Sequence, residues 1–177
     1  MMAGTFGRIE GTDVGLLTRP QLEALLEEVS FLESFLASRR LEVMGAIDGL
    51  DDGGVSSDSI LRSKAKVGHK KAKKAAGTAK KLKKMPKTAQ RLRDGEITEA
   101  HAEANADAAE KAEDPGAADE ALNGPVVPPA DLHAKRARKW AADNERREKA
   151  QRRHDRHARR QGPQGSDRGG SRPALPL

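Results

Sequence analysis

Cysteine and tyrosine are absent from this chain of 177 residues, and aromatic side chains make up only 2% of it: Phe6, Phe31, Phe35 and Trp140. Without cysteine there is neither a disulfide framework nor a thiolate zinc site, a composition suited to a reducing compartment. Long apolar runs are missing too. No stretch approaches the ~20 residues of a membrane helix, and Met1 to Leu17 lacks the basic-then-apolar order of a signal peptide. The expected address is the cytoplasm, with no membrane partner. Glycine-rich phosphate loops, nucleophile elbows and paired His-Glu zinc motifs do not occur. Asp48, Asp51, Asp52 and Gly53 miss the alternating acids of a calcium loop. His154 and His157 share a helix face, but two ligands surrounded by Arg152, Arg153, Arg156 and Arg159 do not make a metal site. The expectation is a chain with no catalytic residue, metal or cofactor of its own.

What the chain has in abundance is charge, 34% of its residues, arranged in blocks. Residues 1–60 carry 4 basic against 11 acidic side chains, and residues 62–93 carry 14 basic and no acidic ones. Residues 94–120 reverse the sign, with Lys111 alone among 10 acids; residues 131–160 return to 12 basic against 5 acidic. Like charges at that density repel unless a polyanion or an opposite block neutralises them. The apolar fraction is 36%, much of it alanine, which buries little area per residue. Short packed helices are therefore expected rather than one large core.

Helical periodicity is the only strong local signal, so the fold class is all-α. Thr18, Arg19, Pro20 and Gln21 read as a capping box with proline in the first turn. Leu22, Leu25, Leu26, Val29, Leu32 and Leu36 then recur on one stripe, widened by Phe31 and Phe35, which continues less regularly through Leu41, Val43 and Met44 until Gly45 and Gly49 weaken the helix. That stripe needs a partner helix, in this chain or another, and self-association through Leu22–Leu36 is one outcome. A turn-rich stretch over 48–58 precedes a short helix carrying Ile60 and Leu61. A second helix begins near His69, with Ala72, Ala75, Ala76, Ala79 and Leu82 on one side and lysines on the rest. Gly77 weakens that helix by roughly 1 kcal/mol. Pro86 breaks the chain near Met85, Gly95 stops a short helix, and Thr98 caps an acidic, alanine-rich helix running to about Glu113. The resulting division is a disordered N-terminus over 1–17, a helical domain over 18–113, a Pro/Gly/Ala-rich linker over 114–130, a long basic helix over 131–160 with Leu132 and Trp140 as its large apolar residues, and a disordered tail over 161–177.

Residues 85–102 carry Pro86, Thr88, Leu92, Gly95, Glu96, Ile97, Thr98, His101 and Ala102 in an order that resembles the "Leu-Pro … Leu … Gly-Glu-Ile-Ser/Thr … His-Ala" pattern of the 13E12 repeat family, domain of unknown function 222. Arg62, Ala72, Ala79 and Leu82 upstream are similar to its alanine-rich helix, and Leu132, Arg138, Trp140 and Ala141 downstream to its later Arg-x-Trp-Ala-Ala helix. The resemblance spans roughly 18–160. It implies the non-catalytic N-terminal part of an HNH-endonuclease-like protein, whose nuclease domain would follow. No family pattern follows Arg160, so the expectation is a chain that stops before that domain, and any catalysis would belong to the longer, metal-dependent protein.

The basic blocks give the candidate site. Lys64, Lys66, Lys70, Lys71, Lys73, Lys74, Lys80, Lys81, Lys83, Lys84 and Lys87 are expected to neutralise phosphates, with Arg136, Arg138, Arg146, Arg147, Arg152 and Arg153 as a second strip. Lysine is a point charge, so non-specific backbone contacts to DNA are favoured over base reading. The absence of stacking aromatics argues against a single-strand binder. The acidic helix over 98–113 offers those lysines an intramolecular alternative. His101 is expected to pack or cap rather than catalyse. The competing functional readings are a fragment of an HNH endonuclease and a helical interaction protein whose charges keep it in solution.

Overall fold

The computed structural model describes residues 7–50 and 53–160 (the side chains of Ala158 and Arg160 excepted); the expectations for 1–6 and for the tail over 161–177 fall outside them. Among the described residues the secondary structure is helical throughout. Seven α-helices follow one another: α1 (Arg19–Ile47), α2 (Ser57–Ala65), α3 (His69–Leu82), α4 (Pro86–Arg93), α5 (Glu99–Ala109), α6 (Pro115–Leu122) and α7 (Ala130–Arg160). No helix among the described residues is long and apolar enough to cross a membrane.

The boundaries follow from local chemistry. Thr18 N–H donates to Gln21 Oε1 at 2.9 Å, which closes the capping box at the start of α1. Asp48 ends α1 and starts α2, taking Ser57 N–H at 2.8 Å and the Ser57 hydroxyl at 2.7 Å on its two oxygens. Gly95 ends the α4 turn at φ +72°, a backbone region that favours glycine. Thr98 and His101 form a second capping box, in which His101 Nδ1 accepts from the Thr98 hydroxyl at 2.8 Å. His101 Nε2 lies 2.9 Å from the Pro128 carbonyl, an acceptor only, so that nitrogen donates there.

Two local expectations need correction, and one left open is answered in part. Part of the N-terminus expected to be disordered is structured: a helical turn over 7–10 and a 3-10 turn over Val14–Leu16, with Asp13 capping. The stretch expected to be a linker contains α6, started by Asp114 as N-cap and Pro115 at N1, and it buries Ala118, Asp119 and Leu122. Of the α1 stripe, whose partner the sequence leaves open, only the irregular end with Leu41 and Met44 enters the core. Ser34, Ala37, Ser38 and Gly45 are buried beside them, because α3 and α4 approach closely enough to need small residues.

Two apolar clusters meet at Leu82. Leu41, Met44, Ala75, Ala79, Leu92, Ile97 and Ala102 join α1, α3, α4 and α5. Met85, Ala108, Ala109, Ala118, Leu122, Ala137 and Ala141 join α5, α6 and α7, with half-buried Trp140 against them. A buried polar chain runs between these helices. Asp119 of α6 accepts Lys87 N–H at 2.8 Å, Thr88 N–H at 2.9 Å and the Thr88 hydroxyl at 2.7 Å, so its carboxylate caps α4. The Thr88 oxygen accepts in turn from Asn105 of α5 at 3.1 Å and from Asn123 at 2.8 Å. Asn105 Oδ1 accepts from His133 Nε2 of α7 at 2.6 Å. His133 is 3% exposed, its Nδ1 is buried, and that nitrogen has no hydrogen-bond partner among the described residues.

Two sets of measurements test this arrangement. A methyl group at Gly77 meets nothing within 4 Å among the described residues, whereas at Gly95 it lies 2.3 Å from the Phe31 ring. Gly77→Ala is expected to raise unfolding stability by about 0.5–1 kcal/mol. Gly95→Ala is expected to lower it by roughly 2–4 kcal/mol, from the positive φ and the ring clash. Burial, with His101, Arg136 and Arg91 nearby, lowers the His133 pKa from 6.5 to about 4. The unfolded chain then binds a proton that the folded chain refuses. Stability should fall as pH drops from 6.5 towards 4, by about 3 kcal/mol over that window. His133→Gln keeps a donor for Asn105 and should flatten that decline in denaturant melts.

Candidate nucleic-acid interface

The expected lysines divide into two groups once α3 is seen against its neighbours. Ala72, Ala75, Thr78 and Ala79 form the buried side of α3. Lysines beside that face reach the acidic helix α5. Lys74 Nζ is 2.9 Å from Glu103 and 3.7 Å from Asp107, and Lys81 Nζ is 2.6 Å from Glu110. The pairs step seven residues along each helix, so α3 and α5 run in the same sense with matched spacing. The hydrogen bond to Glu103 raises the Lys74 pKa, and that from Lys81 lowers the Glu110 pKa. Lys87 pairs with Glu120 of α6. The intramolecular alternative offered by the acidic helix is thus realised for Lys74 and Lys81, while Lys87 finds its acid on α6. Exposed pairs of this kind are individually weak, at about 0–1 kcal/mol.

On the opposite side, Lys70, Lys73, Lys80 and Lys84 fall on one row at helical spacing, with Gly77 between them. All four are exposed, and none has an ion-pair partner among the described residues. Lys64, Lys66 and Lys71 are exposed in the same way on α2, the α2–α3 turn and the first turn of α3. Lys66 adopts φ +55° as the C-cap of α2. Lys83 has a structural position that the sequence did not disclose. Its stem crosses Gly45, and its ammonium lies against Gly49 at the carbonyl end of α1, where a cation is favoured.

The arginine strip is divided as well. Arg136 donates to the Ala121 carbonyl at 3.1 Å and Arg138 to Ala134 at 3.1 Å, so both lie along the docked half of α7. Arg146 is 3.6 Å from Asp143, and Arg147 donates to the Asp143 carbonyl at 3.4 Å. Arg152 pairs with Glu113 at the end of α5. From Lys149 onward, every residue of α7 whose side chain is described is exposed, and Arg153, Arg156 and Arg159 line a shallow surface groove with Lys149, Arg152 and the single acid Asp155. The end of α7 is therefore a basic arm of about 18 Å at 1.5 Å per residue. His154 and His157 are exposed on it.

The two basic strips do not merge. A groove of about 690 Å³ separates them, floored by Ala104, Ala108 and Ala141 and lined by Glu103, Asp107 and Glu110, with Lys74 and Arg138 on opposite walls. Charge runs in the sequence could not indicate this alternation, because it depends on α5 packing between α3 and α7. The residues behind the family resemblance are structural: Thr88, Leu92, Ile97 and His101 are buried, and Gly95 holds its turn.

Removing the acids should strengthen binding to a polyanion. Glu103→Gln, Asp107→Asn and Glu110→Gln together are expected to raise affinity for duplex DNA about 3–10-fold at low salt, an effect that shrinks as salt screens it. Thermal melts should show a stability change below about 1 kcal/mol. The chain matches no protein-family profile, no curated protein and no solved structure.

Proposed function

We propose that this chain is a helical nucleic-acid-binding module that grips the phosphate backbone of DNA without reading its sequence. It acts in the cytoplasm and is of the kind that precedes the nuclease domain of HNH-endonuclease-like proteins. The observation that carries the reading is the outer row of α3. Lys70, Lys73, Lys80 and Lys84 face water without an acidic partner among the described residues, although acids stand one helix away. A duplex presents one negative charge per about 1.7 Å of axis, far denser than any acidic helix, and each engaged phosphate releases condensed counterions. The α7 arm adds Arg153, Arg156 and Arg159 as a second point of contact. Lysine and arginine on exposed helix surfaces, with no aromatic platform beside them, suit backbone contacts to a duplex.

Fluorescence anisotropy on a generic duplex across a salt series tests this. With about six phosphates engaged, log K should fall with log salt at a slope near −5. Replacing Lys70, Lys73, Lys80 and Lys84 with alanine should weaken binding and reduce the slope by about 3 to 4, with helicity unchanged. A wild-type chain that leaves duplex and single strand alike unbound in dilute buffer would refute the proposal.

A further inference from the structure

The first helix carries an apolar surface that its own chain leaves open. Its core-facing residues begin only at Ser34, so none of the first fifteen residues of α1 is buried. On another side of the helix, Leu22, Val29, Leu36 and Val43 follow one another every seven residues, with Leu25 and Leu32 three residues after the first two. Those are the a and d positions of three heptads, a 3.5-residue period that matches a second helix rather than a globular core. Leu22 is 39% exposed, Leu36 56% and Val43 51%, and Leu26 beside them 66%, while Leu25, Val29 and Leu32 are half-buried.

We infer that α1 pairs in parallel with α1 of a second copy of this chain, forming a two-stranded coiled coil along Leu22–Val43. Four features select that occupant. The heptad register is self-complementary, so an identical helix presents the same knobs and holes. Val29 and Val43, at two of the four a positions, with Leu25 and Leu32 at d favour two strands. Most charges flanking the seam are already compensated within the chain: Glu28 by Arg8, Glu42 by Arg39 and Arg93, and Arg40 by Glu99 at 2.6 Å. Glu33 has no ion-pair partner among the described residues and would face Glu28 of the second copy, so it opposes the pair. Finally, the seam is about 32 Å long at 1.5 Å per residue, and pairing it removes on the order of 1,000 Å² from water, near the lower bound for a specific interface. Arg39 at the third d position weakens the pair, so the dimer is concentration-dependent. The inference stands apart from the nucleic-acid reading, and either can fail alone.

Sedimentation equilibrium of the full chain, without DNA, tests it up to about 100 μM. The mass should rise from one chain to two with concentration and go no further. Leu22→Glu with Leu36→Glu, both at exposed positions, should keep the chain monomeric with unchanged circular dichroism. Arg39→Leu should shift the midpoint to at least about 10-fold lower concentration. Because the chain has no cysteine, Val29→Cys should yield a disulfide-linked dimer on oxidation, since a positions face each other in a parallel pair. The inference is overturned if wild type and Arg39→Leu both remain monomeric, as they would if the chain's own residues 161–177 covered the seam. It is equally overturned if assembly survives the double glutamate variant, continues beyond two chains, or proceeds without the Val29→Cys cross-link.

Discussion

An interior built largely from alanine is the constraint from which the rest of this structure follows. Ala75 and Ala79 on α3 meet Ala102 on α5, Ala137 and Ala141 on α7 meet Ala108 and Ala109, and Ala72 and Ala106 are fully buried. Small side chains let helix axes approach closely, but they remove little apolar area from water. Specificity has to come from elsewhere. The chain from Asp119 through Thr88 and Asn105 to His133 provides it, joining α6, α4, α5 and α7 in one hydrogen-bonded path. The Thr88 hydroxyl donates once and accepts twice there, so a displaced helix would strand a buried polar group, at a cost of about 1–3 kcal/mol.

Close packing also decides which charges remain free. With α5 lying tight against α3, the flanks of the two helices are brought together, and Lys74 and Lys81 find Glu103 and Glu110 within ion-pair distance. Lys73 and Lys80 lie about 100° round the helix from that flank, and Lys70 and Lys84 sit one turn before and after its paired lysines. A uniform run of lysines in the sequence thus becomes a neutralised flank and a free face. The same principle shapes α7, whose first half is docked by His133, Ala137 and Ala141 and whose last turns carry basic side chains into solvent.

Much of the helical outline was legible in the sequence because it rests on local rules. The Thr18–Gln21 capping box, the break at Pro86, the turn at Gly95 and the Thr98 cap all lie where side-chain chemistry puts them. The α6 helix was hidden by the prolines and glycines around it, although Asp114 before Pro115 is itself a helix-start signal. The face of α1 that packs inside the chain could be read only in part, from Leu41 and Met44. Hydrophobic periodicity points to the largest side chains, whereas an alanine-built neighbour selects Ser34, Ala37, Ser38 and Gly45. Similarly, composition located the basic site, but tertiary packing alone separated Lys74, Lys81 and Lys87 from the free lysines and set Lys83 over the end of α1.

The central claim is that the outer row of α3 and the end of α7 form the surface a polyanion touches. Backbone amide chemical shifts of the full chain, followed as a short DNA duplex is added in dilute buffer, test it most directly. The account predicts that the amides of Lys70 to Lys84 and of Arg152 to Arg159 shift, while those of Leu22 to Leu36 stay in place. Shifts confined to other helices, or none at all with duplex in excess, would contradict it.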